Sequence, residues 1–279
     1  MSISIDPINK ISRPRLPTVF ERERVFRLLN DACKHSVIWI SAPAGAGKTT
    51  LVASYLESLH HHCVWYQIDH RDADPATLFY YLGLAVKRAT PRKRKPIPLL
   101  KPEFTPGIDA FALSFFEAVY QRLPKPVIFV MDNYQQINPK SITHGLISSG
   151  LSILPQRVIA IVISREHPPA NFSRMLANRE MVHIGWNQIR LTLEETAGIV
   201  HLQKGNQSIS KTNIRQLHKA AGGWTAGLML MLAKAHLDDI DWQWVQGSTP
   251  EEILDYFAKE IFENETSEIQ DFLLRAAVL

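Results

Sequence analysis

The sequence predicts an α/β fold in which a parallel sheet, covered by helices on both faces, is followed by an all-helical domain. Continuous apolar runs such as "VIFVM" at 127–131 and "VIAIVI" at 158–163 are typical of strands buried on both faces. Segments with helical spacing separate these runs, as in repeated βαβ units. After Leu191 the strand-like runs stop and only helical segments follow.

The first two-thirds of the chain alternates between the two kinds of element. A helix is expected to start at Pro75, because Asp74 can cap it and proline suits the first helical position. Strands are predicted at 36–41, 63–68, 126–131 and 157–164, and helices at 48–59, 75–89 and 107–123.

The helical part begins with "TLEET", where Thr192 and Glu195 form a predicted capping box and Gly205 a stop. Further helices are expected at 212–221 and 224–237. Another is expected from 249, with Thr249 as its N-cap, Pro250 at its first position and Glu252 at its third. A fifth helix would start at 267, and its uncapped apolar end indicates that the chain was cut from something longer. The predicted domains are 1–190, 191–264 and a truncated third at 265–279.

Composition indicates a globular protein of one large or two modest domains. The chain has 279 residues, 46% hydrophobic and 21% charged, and its apolar runs are too short for a membrane span. The N-terminus lacks the basic and apolar regions of a secretion signal. Cys33 and Cys63 are expected to be buried thiols rather than a disulfide or metal site, which favours the cytoplasm.

The net charge of +4 depends on one segment, residues 87–101, which holds seven basic and no acidic residues. Without it the rest of the chain would carry −3, and the part from Leu191 onward carries −6. A solvated loop explains this segment more simply than a nucleic-acid surface does.

The stretch "SAPAGAGKTT" at 41–50 follows a predicted strand and opens a predicted helix. Apart from Ala42 in place of the first glycine, it matches a phosphate-binding loop, whose glycines let backbone N–H groups turn toward an anion. The alternative is a glycine-rich turn without a chemical role. The order of strand, loop and helix favours the phosphate-binding loop over this alternative. The residues expected to bind nucleotide here are Ala44, Gly45, Ala46, Gly47, Lys48, Thr49 and, more weakly, Thr50.

Two further strand ends complete the predicted site. Asp132 ends "VIFVMD" and would hold Mg²⁺ together with the Thr49 hydroxyl, since ligands bind outside the carboxyl ends of parallel strands. Asn133 follows, where many ATPases place a second acid. Arg165 ends "AIVISR" and could meet a γ-phosphate or be an ordinary surface arginine.

Other candidates carry weaker signals. The histidines at 60–62 have no partners at metal-ligand spacing and are read as a solvated turn. The acids of "DHRDADP" at 69–75 could line an active site, although a helix cap at Asp74 explains part of the pattern equally well.

Taken in order, several segments resemble the signal-transduction ATPases with numerous domains (STAND), specifically the MalT-like large ATP-binding LuxR-type transcriptional regulators. The resemblance covers essentially the whole chain. It is carried by "ISRPRLP", "TVFERERVFRLL", "SAPAGAGKTT", "VWYQIDHRDADPATLFYYL", "FVMDNYQQI", "ISREHPP", "LTLEET" and "GGWTAGLML".

The resemblance implies an AAA-like five-stranded sheet, a four-helix domain with ATP or ADP between them, and the start of a winged-helix-like third domain. It implies roles for Lys48, Thr49 and Asp132 toward nucleotide and Mg²⁺, a sensor role for Arg165, and Arg22 or Arg24 beside the adenine. In this family ADP holds a closed monomer, while ATP and a small-molecule or protein inducer favour self-association. Inducer and DNA would bind through domains absent from this chain.

The expected function is therefore an ATP/ADP switch with slow hydrolysis, in which Lys48, Asp132, Asn133 and Arg165 would carry any catalysis. An amide at Asn133 can orient water but cannot accept its proton at neutral pH, which favours slow turnover. The alternative is a P-loop kinase or other metabolic NTPase with a small-molecule acceptor, whose acids would come from residues 69–74. A third hypothesis is a motor or DNA-processing ATPase that uses the basic segment.

Overall fold

The structure is a computed structural model and describes residues 7–60, 62–92, 95–205 and 209–233, together with residue 252. In this part of the chain, five strands form one sheet accompanied by eleven α-helices. The helix predicted from 249 lies outside these residues except for Glu252, which is helical. The predicted third domain at 265–279 lies wholly outside them.

The sheet is parallel throughout and its strands lie in the order β2-β3-β4-β1-β5. The four strands predicted from apolar runs are confirmed. The pattern does not predict β5, because its four residues are too few for a periodicity and two of them are only half-buried. The strands are β1 (Val37–Ser41), β2 (Cys63–Gln67), β3 (Val127–Asp132), β4 (Val158–Ser164) and β5 (Met181–Ile184).

The helices confirm the predicted segments wherever they lie within the described residues. The sequence prediction includes no helix at α1, α2, α6, α7 or α8. Three of these, α1, α7 and α8, have only four or five residues, and "THGLISSGLS" of α6 is rich in weak helix formers. No described helix is both long and apolar enough to cross a membrane. The helices are α1 (Pro7–Lys10), α2 (Glu23–Ala32), α3 (Lys48–Ser58), α4 (Pro75–Ala89), α5 (Ile108–Arg122), α6 (Thr143–Ser152), α7 (Ser173–Ala177), α8 (Trp186–Ile189), α9 (Leu193–Lys204), α10 (Lys211–Ala221) and α11 (Thr225–Ala233).

The strand order determines which side chains can meet. Because β4 lies between β1 and β3, the carboxyl ends of these three strands are neighbours at one edge of the sheet. Adjacent strands are about 4.8 Å apart, so the ends of β1 and β3 are separated by about 10 Å. This edge carries Ser41, Ser164 and Asp132, and the loop that follows β1 opens directly onto it.

Both faces of the sheet are buried, which is why its strands read as continuous apolar runs. Trp39 and Phe129 point into a core with α4, α5 and α6. Ile38 and Ile40 point the opposite way, into a core with α2 and α3. The last three helices, α9, α10 and α11, enclose a smaller apolar cluster of their own.

Predicted caps define the helix starts. The Asp74 carboxylate accepts a hydrogen bond from the Thr77 N–H at 3.0 Å, directly before Pro75. The hydroxyl of Thr192 accepts from the Glu195 N–H at 3.2 Å, and the Glu195 carboxylate accepts from the Thr192 N–H at 3.0 Å. The capping box is thus confirmed, and Gly205 ends α9 with a positive φ of 56°.

A buried ionic cluster connects α1 to β2, the outermost strand on one side of the sheet. The ammonium of Lys10 is fully buried and lies 2.8 Å from Asp69 and 2.7 Å from Asp72. The Tyr66 hydroxyl donates to the other oxygen of Asp72 at 2.6 Å, and the ammonium also lies 5.2 Å from the ring centroids of Tyr66 and Tyr81. The ammonium therefore bridges two buried carboxylates, of which Asp69 also pairs with Arg71 at 2.6 Å.

We expect Lys10→Met to lower the free energy of unfolding by about 3–5 kcal/mol, because the fully buried Asp72 carboxylate loses its counter-charge. Urea unfolding followed by circular dichroism measures this loss. Lys34→Met is the matched control, since Lys34 pairs with Asp31 at 3.3 Å on the surface and should change stability little. Equal losses of stability in the two variants would contradict the stabilising role of the buried Lys10.

Candidate functional site

The loop between β1 and α3 has the curl expected of an anion-binding loop. Gly45 and Gly47 have φ values of 69° and 75°, a region that favours glycine. Ala42 is buried and is not among the described residues with a positive φ. Nothing in its backbone requires glycine, which explains how alanine serves at the entry of the loop.

Lys48, the first residue of α3, folds its side chain back over the loop. Its ammonium is buried and donates to the carbonyl oxygens of Ala42 at 2.7 Å and Pro43 at 2.9 Å. Burial lowers the pKa of Lys48 to about 8, the positive charge of Arg165 adds to this, and Asp132 opposes it.

Asp132 and Thr49 meet across the edge of the sheet. The Thr49 hydroxyl lies 3.1 Å from both carboxylate oxygens of Asp132, and the Asn133 N–H donates to one of them at 2.9 Å. Burial raises the pKa of Asp132 to about 6, against the hydrogen bonds from Thr49 and Asn133 and the charge of Lys48. A hydroxyl and a carboxylate are the hard oxygen ligands that Mg²⁺ prefers beside phosphate groups.

A chain of hydrogen bonds that the sequence did not reveal links Asn133 to Arg165. The Gln135 amide nitrogen lies 3.4 Å from the side-chain oxygen of Asn133, and its oxygen accepts from the Arg165 N–H at 3.0 Å. Asn133 has a positive φ of 60°, which asparagine tolerates well. The side chain of Arg165 is exposed at the same edge of the sheet.

A cavity of about 250 Å³ lies beside the loop, between residues 17–22, the start of α3 and the last helices. Arg22 and Thr50 line it, and Arg24 is not among its lining residues. Sequence reasoning missed the apolar lining, because only tertiary contacts bring these residues together. The apolar lining consists of Pro17, Val19, Phe20, Leu51, Leu191, Ile199, Leu202 and Met229.

Both arginines bind the first turn of α9. The same Glu195 oxygen accepts from Arg22 at 2.9 Å and from Arg24 at 3.1 Å, and Arg22 also donates to the Ile189 carbonyl at 2.6 Å. Burial opposes ionisation of Glu195, but the hydrogen bonds from Arg22 and Arg24 outweigh it and lower the pKa of its carboxyl group. The segment before β1 is thereby attached to the helical part.

The remaining candidates have other contacts. Asp69 and Asp72 bind Lys10, and Asp74 caps α4, so the acids proposed for an acceptor pocket all have structural roles. Among the described basic residues of 87–101, Lys95 donates to Gln121. Both cysteines are free and half-buried rather than fully buried as expected.

Residues 17–165, more than half of the chain, match the family model described as "Nephrocystin 3, N-terminal". The chain belongs to this family. It is also 26% identical, over 97% of its length, to the HTH-type transcriptional regulator MalT of Cronobacter sakazakii, and 28% identical to that of Vibrio cholerae. It spans 30% of the length of each relative. These matches confirm the resemblance to MalT-like regulators.

The fold has a counterpart among solved structures. The Walker-type ATPase of Pyrococcus abyssi superposes with a TM-score of 0.55 at 13% identity, covering 93% of this chain and 77% of that one. The predicted α/β P-loop fold of this nephrocystin 3 N-terminal family member is therefore confirmed.

We expect Glu195→Gln to destabilise the protein by about 2–3 kcal/mol at pH 7, because the buried Arg22 loses its counter-charge. Since the folded-state pKa of Glu195 is lowered, its contribution is present above the unfolded pKa of about 4.3 and is lost as the pH falls through the folded value. The difference from wild type should therefore shrink on acidification.

Urea unfolding at pH 7 and at pH 3 measures both effects. Glu194→Gln, an exposed neighbour in the same first turn, controls for the loss of one carboxylate near a helix N-terminus. A Glu195→Gln difference that is the same at the two pH values would show that its charge plays no part.

Proposed function

We propose that this chain is the ATP/ADP-binding switch module of a signal-responsive transcriptional regulator, reset by slow ATP hydrolysis. One observation carries the proposal: Lys48, Thr49 and Asp132 converge at a glycine loop beside a cavity that both the sheet domain and the last helices line. The similarity to the HTH-type transcriptional regulators MalT supports the regulatory part of the proposal.

Each residue has a proposed part in holding the nucleotide. The backbone N–H groups of residues 44–47 and the start of α3 would face the phosphates. Lys48 would leave the loop carbonyls for phosphate oxygens, and Thr50 would lie near the α-phosphate end of the cavity. Thr49 and Asp132 would hold Mg²⁺, which when bound neutralises phosphate charge. Arg22 would border the base, whereas Arg24 supports Glu195.

The division into 1–190 and 191–264 is part of the proposal. Because residues of both parts line the cavity, a ligand there can have different affinities for different arrangements of the two, which a switch requires. Moving a population from mostly closed to mostly open takes about 5 kcal/mol of differential binding. A charge-assisted bond from Arg165 to a γ-phosphate, worth about 1.5–3 kcal/mol, supplies part of it.

The parent protein's partners follow from the same setting. An inducer and DNA would bind through parts of the longer relatives that this chain does not match, and self-association would belong to the ATP form. Asp69, Asp72 and Asp74 all make structural contacts. This counts against the kinase alternative, because these were the acids proposed to act on its acceptor substrate.

Identification of the nucleotide carried by the purified 279-residue chain tests the proposal. We expect denaturation to release tightly held ADP, detected by chromatography, and turnover well below the typical enzyme rate of about 10 per second. Lys48→Ala should release none, because phosphate loses its main cation, whereas Lys34→Ala should retain it. Rapid turnover or nucleotide-free protein with weak affinity would overturn the switch.

We expect Asn133→Asp to hydrolyse ATP faster than wild type, or at an equal rate, because a carboxylate can accept a proton from water and an amide cannot. Phosphate release at saturating ATP measures the rate. Asn138→Asp, in an exposed turn of the same loop, controls for the added charge. Slower hydrolysis by Asn133→Asp would show that the amide itself is what the reaction needs.

A further inference from the structure

Three consecutive carbonyl groups of the phosphate loop accept hydrogen bonds from three consecutive residues at the start of α11. The indole N–H of Trp224 donates to the Ala44 carbonyl at 2.7 Å. The hydroxyl of Thr225 donates to the Ala46 carbonyl at 3.2 Å. Between them, the N–H of Ala226 donates to the Gly45 carbonyl at 2.9 Å. We call residues 224–226 the loop clamp.

The loop clamp continues a pattern that Lys48 begins. The ammonium of Lys48 binds the carbonyls of Ala42 and Pro43, so every carbonyl from 42 to 46 has a donor. The last three of these donors come from a segment about 180 residues away in sequence. The outer surface of the loop is therefore built jointly by the sheet domain and the helical part.

The fit between the two segments is close. A Cβ at Gly45 would lie 2.5 Å from the Cβ of Ala226 and 2.9 Å from the indole nitrogen of Trp224. Contacts this short do not occur between real side chains, so the approach of α11 requires glycine at 45. The ring of Trp224 is 8% exposed and also covers Gly227.

Because each peptide group is planar, these contacts also determine where the N–H groups on the opposite side of the loop point. The carbonyl of one residue and the N–H of the next belong to one rigid trans peptide and point in opposite directions. Fixing the carbonyls of residues 44, 45 and 46 thus fixes the N–H groups of residues 45, 46 and 47. In a phosphate loop these are groups that face the anion. Here the Ala46 N–H makes only a long 3.3 Å bond to Pro43.

We propose that the loop clamp positions the anion-binding N–H groups of the phosphate loop, and that Trp224 is a positioning residue for the polyphosphate part of the ligand. The inference rests on the proposed function and adds a route by which the helical part influences phosphate affinity without touching phosphate. When α11 moves away, the loop keeps its glycines but loses the donors that orient three of its peptides.

The test compares ligand affinities of the full chain carrying Trp224→Phe, which keeps the ring and removes the indole N–H. We expect about five- to tenfold weaker binding of ADP and of inorganic pyrophosphate, the effect of losing one buried hydrogen bond. Adenosine, which has no phosphate, should bind as it does to wild type, since Trp224 does not line the cavity. Titration calorimetry measures all three ligands.

Thr225→Val provides a second variant of nearly unchanged shape, with an expected loss of about threefold for pyrophosphate. Thr212→Val, at an exposed position of α10, is the matched control and should bind like wild type. Urea unfolding of each ligand-free protein identifies any variant that has lost its fold. In that case the remaining variant decides the outcome.

The outcomes separate the two proposals. Selective loss of ADP and pyrophosphate affinity in the clamp variants supports the inference. Wild-type pyrophosphate affinity in a folded Trp224→Phe or Thr225→Val protein overturns it and leaves the nucleotide switch intact. An equal loss for adenosine in Trp224→Phe also overturns it, because the effect would then not be confined to phosphate; Thr225 itself lines the cavity, so Thr225→Val is judged on pyrophosphate alone. A wild-type chain that binds no nucleotide overturns the proposed function and the clamp together.

Discussion

A loop that turns its N–H groups inward must turn its carbonyls outward, and the outward groups need donors as much as the inward groups need an anion. In this chain that constraint joins the loop to the start of α3 and to the start of α11. Lys48 supplies donors at the entry of the loop, and residues 224–226 supply them further along. The Arg22 and Arg24 bonds to Glu195 attach the segment before β1 to the helical part.

The sheet positions the acid that completes the site. With β4 between β1 and β3, Asp132 reaches Thr49 from two strands away, leaving room at the sheet edge for the turn that holds Asn133 and Gln135. The same turn reaches the Arg165 backbone through Gln135. Residues that would meet a γ-phosphate are thus linked through neutral amides, so their relative positions do not depend on the ionisation of a partner.

Local patterns predicted much of this arrangement. The loop glycines, Lys48, the strand ending at Asp132 and the caps at Asp74 and Thr192 each depend on residues within a few positions, so periodicity and spacing suffice. The prediction missed β5 and α6, because one is very short and the other is rich in weak helix formers, and it also included no helix at α2. The cavity lining, the Glu195 cluster and the Lys10 anchor depend on contacts between distant segments, which a single sequence does not encode locally.

The two carbonyl bonds of Lys48 have a consequence for selectivity among anions. The ammonium already donates to two carbonyls of the loop. To bind an anion, Lys48 would have to give up these hydrogen bonds, so the affinity would reflect the difference between the bonds formed and the bonds broken. A small anion that reaches only Lys48 regains little more than it breaks. An extended polyanion that spans several loop N–H groups regains much more. Under the proposed function, the loop geometry would therefore favour chains of phosphates over single ions.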